Sequence, residues 1–395
     1  MLGRGGFTRD PNKPDYVCKL KKSLYGLKQS ARCWNATLDE YLLSEGYTRS
    51  DADDCIYIKF INFNDRECFV TLAVYVDDVV PISDSIEVLA TEKSKLKHRF
   101  VMVDNGDIDY LLGIQIKRDR INRRLSISQP CYLDNVLKRF NMANCNPVST
   151  PMETGRKFSK LFDDNDAPFT DAQLYQRAVG CLMYAATTTH PNIGSAIGIL
   201  AQFMSAPGLS HWSGIKRILR YIRGTQDYGL LFTTDDDGNK LVGFSDSDWA
   251  GDVDTRRSTS GYTFHVGNSL VSWSSKKQAT VAKSSTEAEY VALSFATQEA
   301  VWLRRLLESI NCSETTPTTI FEDNQGAIDL SRNPKHHNRT KHIDISFHFT
   351  RERVASKEVN VEYCPTSEMT ADIMTKALPR VTFEKLREYM GVVKV

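Results

Sequence analysis

The sequence predicts a multidomain protein that combines α+β and α/β domains. The chain has 395 residues, which is enough for two or three domains, each with its own core. Its first part contains an aromatic and β-branched run at residues 69–80, which lacks Gly and Pro and is typical of a buried strand. Between Thr170 and Phe232 apolar residues recur at helical spacing, and from Leu241 onward strand patterns alternate with helical ones.

Composition and charge narrow the class of protein. Hydrophobic residues make up 41% of the chain and charged residues 25%, which is ordinary for a globular protein and excludes a disordered tail. The formal net charge is +1, so a nucleic-acid partner would have to be bound by local basic patches. Nine cysteines without a CxxC pair favour free thiols in a reducing compartment. No apolar run approaches the roughly 18 residues of a membrane span, so we expect a soluble intracellular protein.

Two adjacent carboxylates interrupt the run at residues 69–80. Asp77 and Asp78 lie in an otherwise apolar strand-turn-strand pattern, where a charged carboxylate is costly unless it is paired or binds a cation. The pattern therefore indicates a metal site. A solvated hairpin tip with type I′ turn chemistry explains the same residues, and the residues alone leave both readings open.

Local patterns predict the other elements of the first 150 residues. Apolar residues at helical spacing followed by Gly46 predict a helix that ends near that glycine. Pro147 and Pro151 indicate a linker before the helical part of the chain. The predicted elements are helices over residues 31–45, 85–99 and 132–140, and strands over residues 55–60, 68–76, 111–117 and 125–128.

The middle of the chain is predicted to be helical, over residues 175–187, 193–204 and 212–222. The dipeptide His190-Pro191 splits the first two helices, and a histidine at such a break more often caps or packs than catalyses. The third helix carries Lys216 and Arg220 on one side and isoleucines on the other, so it is amphipathic with a basic face.

The last part of the chain contains four spaced carboxylates. Strands are predicted over residues 241–244, 262–266, 270–273 and 318–321. Asp246 follows the first of these, Glu289 lies on a helix from Thr286, Asp323 follows the last strand, and Asp372 begins or precedes a late helix. Converging carboxylates are what a site for two divalent cations requires.

Two of these four assignments have a competitor. Asp248 lies two residues after Asp246, and both point to one face if the strand continues. We prefer Asp246, which directly follows the apolar part of the strand. Glu287 competes with Glu289, and because residues two apart on a helix point in different directions, only one of them can face the site.

Several long motifs resemble the Pol polyproteins of copia-type LTR retrotransposons. The YVDD hairpin that ends at Asp78 and the LYGLKQ stretch from Leu24, followed by Arg32 and Trp34, are the first of them. The resemblance continues nearly to the C-terminus and covers about everything after Tyr16. The other motifs are YLLGIQI, STPM, YQRAVGCLMYAATTTHP, GFSDSDWAGD, RRSTSGYTF, SSTEAEYVAL, DNQGAI, RTKHIDI and ADIMTKAL.

The resemblance implies a domain order. Residues 1–150 are expected to form the palm and thumb of an N-terminally truncated reverse transcriptase, residues 151–240 a mostly helical connection, and residues 241–395 an RNase H-like mixed sheet with flanking helices. Polymerases of this family use an additional aspartate upstream of the LYGLKQ motif. Asp10 and Asp15 lie in loop sequence and are poor candidates for it, so we expect the polymerase site to be incomplete.

The resemblance also implies roles for the carboxylates. The four spaced carboxylates of the last part of the chain are expected to be the catalytic metal ligands of the nuclease. Two Mg²⁺ or Mn²⁺ ions are the expected cofactors. In the polymerase part, Asp77 and Asp78 are expected to be catalytic metal ligands. The nuclease set is Asp246, Glu289, Asp323 and Asp372.

Basic residues are the candidates for nucleic-acid contacts, although a charge run is more often a solvated face. Three His residues, His336, His337 and His342, could bind a metal, but their basic neighbours favour phosphate contacts. The last-loop histidine of cellular ribonucleases H is not evident near Cys364. The candidates for nucleic-acid binding are Lys28, Gln29, Arg32, Lys117, Arg118, Arg123, Lys216, Arg220, Arg339 and Lys341.

The function implied by this resemblance is hydrolysis of RNA in RNA/DNA hybrids, beside a polymerase part that is inactive by itself. The expected partners are an RNA/DNA hybrid, a template-primer and other Pol and Gag products, with no membrane. We expect a cytoplasmic location in element particles, or a nuclear one, and leave the oligomeric state open. The alternative is a decayed or co-opted module that binds nucleic acid or another partner without turnover.

Overall fold

The computed structural model describes residues 23–24, 26–160, 166–234, 240–332 and 341–395, with side chains from 348 onward in the last range. The chain divides into two compact units, the first ending at Asp104 and the second beginning at Asn105. Within the described residues no helix is long and apolar enough to cross a membrane.

The first unit packs two helices on an antiparallel sheet. Its elements are α1 (Ser30–Ser44), β1 (Thr48–Arg49), β2 (Ile56–Phe63), β3 (Arg66–Tyr75), β4 (Asp78–Ser83) and α2 (Ile86–Arg99), with the strands in the order β1-β2-β3-β4. Alternate residues of β3, such as Val70 and Leu72, are fully buried against Leu38 and Leu42 of α1. The helices and strands predicted in this region are confirmed.

The first strands of the second unit belong to a sheet whose other strands come from much later in the chain. Its first sheet is antiparallel in the order β14-β8-β7-β6-β5 and includes the C-terminal strand. The five strands are β5 (Tyr110–Leu111), β6 (Ile114–Asp119), β7 (Arg124–Ser128), β8 (Tyr228–Thr233) and β14 (Val392–Lys394).

This sheet joins all three of the predicted domains. The compact units therefore divide at a different position from the predicted boundaries near residues 150 and 240. The hairpin at residues 111–128 and the helix after it belong to the second unit, because their hydrogen bonds and core contacts are made with later parts of the chain. Leu133, Ile218 and Leu386, one from each predicted domain, lie in one buried cluster.

Four helices lie between β7 and β8 in the chain, and the predicted ones are confirmed: α3 (Pro130–Arg139), α4 (Ala172–Thr188), α5 (Gly194–Ala201) and α6 (Leu209–Gly224). His190 is fully buried at the break between α4 and α5. Its Nδ1 lies 2.9 Å from Thr189 Oγ1 and its Nε2 3.3 Å from the Thr225 carbonyl oxygen. Burial lowers the pKa of His190 to about 4, so it is a neutral packing residue that links the ends of α4 and α6.

The second sheet of this unit is mixed and carries helices on it, as predicted. Its order is β11-β10-β9-β12-β13, antiparallel from β11 to β9 and parallel from β9 to β13. Phe264, Leu293 and Ile320 are buried in its core. The elements are β9 (Leu241–Asp248), β10 (Thr259–Val266), β11 (Ser269–Lys277), α7 (Ser285–Ser309), β12 (Thr318–Glu322), α8 (Gln325–Arg332), α9 (Lys341–Ala355), β13 (Val359–Tyr363), α10 (Asp372–Thr375) and α11 (Arg380–Tyr389).

Candidate active site

The two carboxylates of the first unit lie at the turn between β3 and β4. Asp77 and Asp78 are both exposed, and Val76 before them has a φ of 54°. The turn is held by the Trp34 indole, whose Nε1 donates to the Val76 carbonyl oxygen at 2.6 Å. In the described part of this unit no third His, Cys, Asp or Glu joins them to form a group that could hold a metal ion. The predicted hairpin is present, and the solvated-tip reading stays open.

Three carboxylates converge in the second unit. Ligand oxygens of Asp246, Glu289 and Asp323 all lie within 4.8 Å of one another. The parallel pairing of β9 and β12 explains this, since Phe244 is paired with Phe321 and each aspartate comes two residues later. Glu289 reaches the same point from the first turns of α7, which packs on this sheet. Asp246 and Glu289 are buried, and Asp323 is half-buried.

Asp372, the first residue of α10, joins this group through a lysine. Lys376 Nζ lies 2.9 Å from Asp372 Oδ1 and 3.5 Å from Asp246 Oδ1. Thr375, on the same short helix, donates from its Oγ1 to Asp246 Oδ2. The helix approaches the sheet closely at Gly261, where an added Cβ would be 2.7 Å from Thr375 Cγ2. All four carboxylates predicted for the nuclease are thus brought to one place.

The two competing carboxylates, Glu287 and Asp248, make structural hydrogen bonds at the start of α7 and the end of β9. Glu287 is half-buried and caps α7: its backbone N–H donates to Ser284 Oγ at 3.2 Å, and its Oε2 accepts from the Lys283 N–H at 2.8 Å. Asp248, at the end of β9, accepts from the Thr259 N–H. Burial raises the pKa of Asp248 to about 6. Glu289, not Glu287, therefore lies beside Asp246, whereas Asp248 braces the start of β10.

Four polar residues around the carboxylates were not singled out by the sequence analysis. Glu322 is fully buried, and Thr366 donates from its Oγ1 to Asp323 Oδ2 at 2.7 Å. The others are Thr375 and Lys376. A signal existed for two of them, because Glu322 directly precedes Asp323 at the end of an apolar strand and Lys376 lies one helical turn after Asp372.

Burial and mutual repulsion dominate the electrostatics of the cluster. The pKa of Glu289 is raised by burial and by the charges of Asp246, Glu322 and Asp323. Burial and Asp246 likewise raise the pKa of Asp372, and burial raises the pKa of Glu322 well above its usual range. A positive charge at the centre would reverse these effects, since it favours ionised carboxylates.

The carboxylates of this cluster are suited to bind a divalent cation. Glu289 Oε2 is buried and has no hydrogen-bond partner among the described residues. Such orphaned buried oxygens are rare unless they have a further partner, and carboxylate oxygens are the ligands that Mg²⁺ prefers. Asp246, Glu289 and Asp323 would hold the ion, with Asp372 beside them.

The predicted nucleic-acid-binding residues are distributed over both units. Lys28, Gln29 and Arg32 are exposed in the first unit, at the start of α1. In the second unit Lys117, Arg118 and Arg123 are exposed around the β6–β7 turn, whereas Lys216 and Arg220 lie on α6. Arg339, His336 and His337 lie outside the described residues, as do the side chains of Lys341 and His342.

Comparisons with known proteins show what the chain is similar to. The family described as "Reverse transcriptase (RNA-dependent DNA polymerase)" matches residues 3–154. The chain is 40% identical, over 96% of its length, to the retrovirus-related Pol polyprotein from transposon TNT 1-94 of Nicotiana tabacum. It is 38% identical, over 99% of its length, to the corresponding polyprotein from transposon RE2 of Arabidopsis thaliana. It spans 28% and 26% of these two relatives.

Among solved structures, LC11-RNase H1 in complex with an RNA/DNA hybrid matches with a TM-score of 0.26 and 11% identity, over 34% of this chain and 94% of that one. The reverse transcriptase match and the relatives define a protein of a reverse-transcribing element. The chain belongs to the Pol polyproteins of copia-type retrotransposons.

Proposed function

We propose that the second unit hydrolyses the RNA strand of RNA/DNA hybrids with two divalent metal ions, Mg²⁺ or Mn²⁺. The observation that carries this proposal is the convergence of Asp246, Glu289 and Asp323 within 4.8 Å. Three carboxylates from three separate elements repel one another without a cation, so an arrangement of this kind favours a metal-dependent reaction.

The chemistry that two bound divalent cations supply in such a site is activation of a water nucleophile and stabilisation of the departing 3′ oxygen. The residues of the chain position and orient the carboxylates that would hold these cations. Thr366 and Thr375 fix the carboxylates of Asp323 and Asp246 through hydrogen bonds. Lys376 offsets part of the negative charge next to Asp372. Burial of Asp246 and Glu289 limits the access of bulk water, which strengthens electrostatic interactions inside the site.

The test uses the full chain with a hybrid whose RNA strand is labelled. We expect Mg²⁺- or Mn²⁺-dependent cleavage of the RNA strand in the hybrid, and none of double-stranded RNA or double-stranded DNA of the same sequence. A chain that binds the hybrid but never cleaves it with either metal would contradict the proposal. That result would support the binding module without turnover.

The first unit is proposed to be unable to extend a primer by itself. Asp77 and Asp78 are exposed, and no third ligand joins them in the described part of the unit. A polymerase site needs further ligands to hold two metals in line. We therefore expect no Mg²⁺-dependent nucleotide incorporation by the 395-residue chain on an RNA template-primer, with an active reverse transcriptase as the positive control. Sustained incorporation would show that the site is complete.

Partners follow from the same proposal. The substrate is an RNA/DNA hybrid, the first unit binds a template-primer, and other Pol and Gag products of the element are the protein partners. The exposed basic turn between β6 and β7 is the surface of the second unit that best suits a phosphate backbone, because Lys117, Arg118 and Arg123 are all exposed there.

A further inference from the structure

A cavity of about 260 Å³ lies in the helical part of the second unit, between α6 and the segment that precedes α4. Its lining combines four cationic side chains with an apolar floor. The cationic residues are Arg156, Lys216, Arg217 and Arg220, and the floor includes Met152 and Phe158. We propose that this cavity binds one unpaired nucleotide of a nucleic-acid strand, with the phosphate at the cationic rim and the base against the floor.

The rim has an excess of positive charge. Glu153 is the one carboxylate in the lining, and it pairs with Arg217 Nη1 at 2.7 Å. Arg220 is held by its Nε, which donates to the Asn146 carbonyl oxygen at 2.8 Å. Among the described residues no carboxylate forms an ion pair with Arg156, Lys216 or Arg220, whereas Arg217 Nε is buried without a hydrogen-bond partner. Guanidinium groups that are positioned but unneutralised suit a phosphate.

The apolar floor favours a ligand that carries a planar group in addition to its anionic group. Phe158 is half-buried with the Arg156 guanidinium 5.5 Å from its ring centroid, an arrangement that suits stacking of a further planar group. Gly214 of α6 lets this ring approach, since an added Cβ would be 2.9 Å from Phe158 Cζ. Ligand pockets of about 300 Å³ and above enclose drug-sized molecules, so this cavity is suited to a single nucleotide and excludes a duplex.

The cavity is attached to the nuclease sheet. Lys157 Nζ donates to the Gly251 carbonyl oxygen at 3.3 Å, and Ser159 Oγ donates to Asp254 Oδ1 at 2.6 Å. These bonds fix the segment that lines the cavity to the turn after β9, the strand that carries Asp246. A strand that leaves a hybrid bound at the carboxylates is therefore the source of the unpaired nucleotide, and in this respect the inference rests on the proposed function.

The experiment measures binding by fluorescence anisotropy in EDTA, so that no cleavage occurs. Two hybrids are compared, one blunt and one with a single-stranded extension of about six nucleotides. For the wild-type chain we expect about tenfold tighter binding of the extended hybrid, from one stacked base and its phosphate. Arg220→Ala should remove most of this preference, as should Ser213→Phe, which places a large side chain at an exposed position of the lining without removing a charge.

Arg223→Ala is the matched control. Arg223 is exposed on the same helix but lies outside the lining, and its Nη1 donates to Gln226 Oε1 at 2.6 Å. It should weaken both hybrids slightly and equally, and keep the preference. Equal losses for Arg220→Ala and Arg223→Ala on both hybrids would overturn the proposal, because the surface would then act as a general charge patch. An abasic extension that binds as tightly as a normal one would also overturn it, in favour of an anion site alone.

Cleavage of the blunt hybrid separates the two proposals. If the wild-type chain cleaves the blunt hybrid with Mg²⁺ or Mn²⁺ but shows no preference for the extension, the cavity proposal fails and the nuclease stands. If the extension is preferred but no hybrid is cleaved with Mg²⁺ or Mn²⁺, the cavity proposal is supported and the nuclease fails.

Discussion

Replacing Asp246 by Asn should abolish detectable cleavage of an RNA/DNA hybrid, with a loss on the order of 10² to 10³ in rate or more. Asp246 lies at the centre of the cluster: its oxygens are near those of Glu289 and Asp323, and Lys376 and Thr375 also contact it. A neutral amide would keep the shape of the side chain but remove the charge that binds a cation. The measurement is the initial cleavage rate at saturating Mg²⁺.

Two controls accompany this variant. Glu287→Gln and Asp248→Asn should keep most of the activity, because Glu287 caps α7 and Asp248 accepts from the Thr259 N–H. The metal-free melting temperature of Asp246→Asn should be unchanged or slightly higher, since one of several repelling carboxylates is lost. Activity that falls equally in the Glu287 and Asp246 variants would contradict the assignment of the site.

Lys376→Met should destabilise the metal-free protein, and a divalent cation should restore the loss. Lys376 is the one cation that the structure places within 4 Å of Asp246 and Asp372 among the described residues, and its side chain is 38% exposed. Losing it leaves buried carboxylates without compensation. Because solvent screens the lysine in part, we expect a loss of about 1–2 kcal/mol in the free energy of unfolding.

Thermal unfolding of this variant in EDTA and in Mg²⁺ provides the test. In EDTA the variant should melt a few degrees below the wild type, and in Mg²⁺ most of that difference should disappear. Lys138→Met is the matched control, since Lys138 forms an exposed ion pair with Asp134 at 2.6 Å and should change stability by less than about 1 kcal/mol in either buffer. A deficit of the same size with and without Mg²⁺ would mean that Lys376 only packs.

Most individual helices and strands of this protein could be predicted from local pattern. Residues 68–76 form an almost continuous apolar run because most of β3 is buried, and residues 212–222 have an apolar stripe because one face of α6 packs on the core. The pairing of β14 with β8, and of β8 with β7, could not be predicted in this way. Strand pairing uses backbone hydrogen bonds, which leave no periodic trace in the sequence, so local pattern does not show which distant strands become neighbours.

The site shows the same contrast. Residue neighbours in long motifs singled out Asp246, Glu289, Asp323 and Asp372, because each carboxylate lies within or next to an element with a recognisable pattern. The distance between them depends on the parallel register of β9 and β12 and on the close approach of α10 to Gly261, and both arise only when the sheet forms.

The surroundings of the carboxylates were likewise decided by packing. The contacts of Lys376 and Thr366 join residues that are far apart in the chain, and the cationic cavity on α6 needs the segment before α4 to complete it. Sequence alone determined which elements and which acids this protein has. Tertiary structure decided which of those acids lie close enough to raise one another's pKa, because burial and distance between side chains are properties of the folded chain.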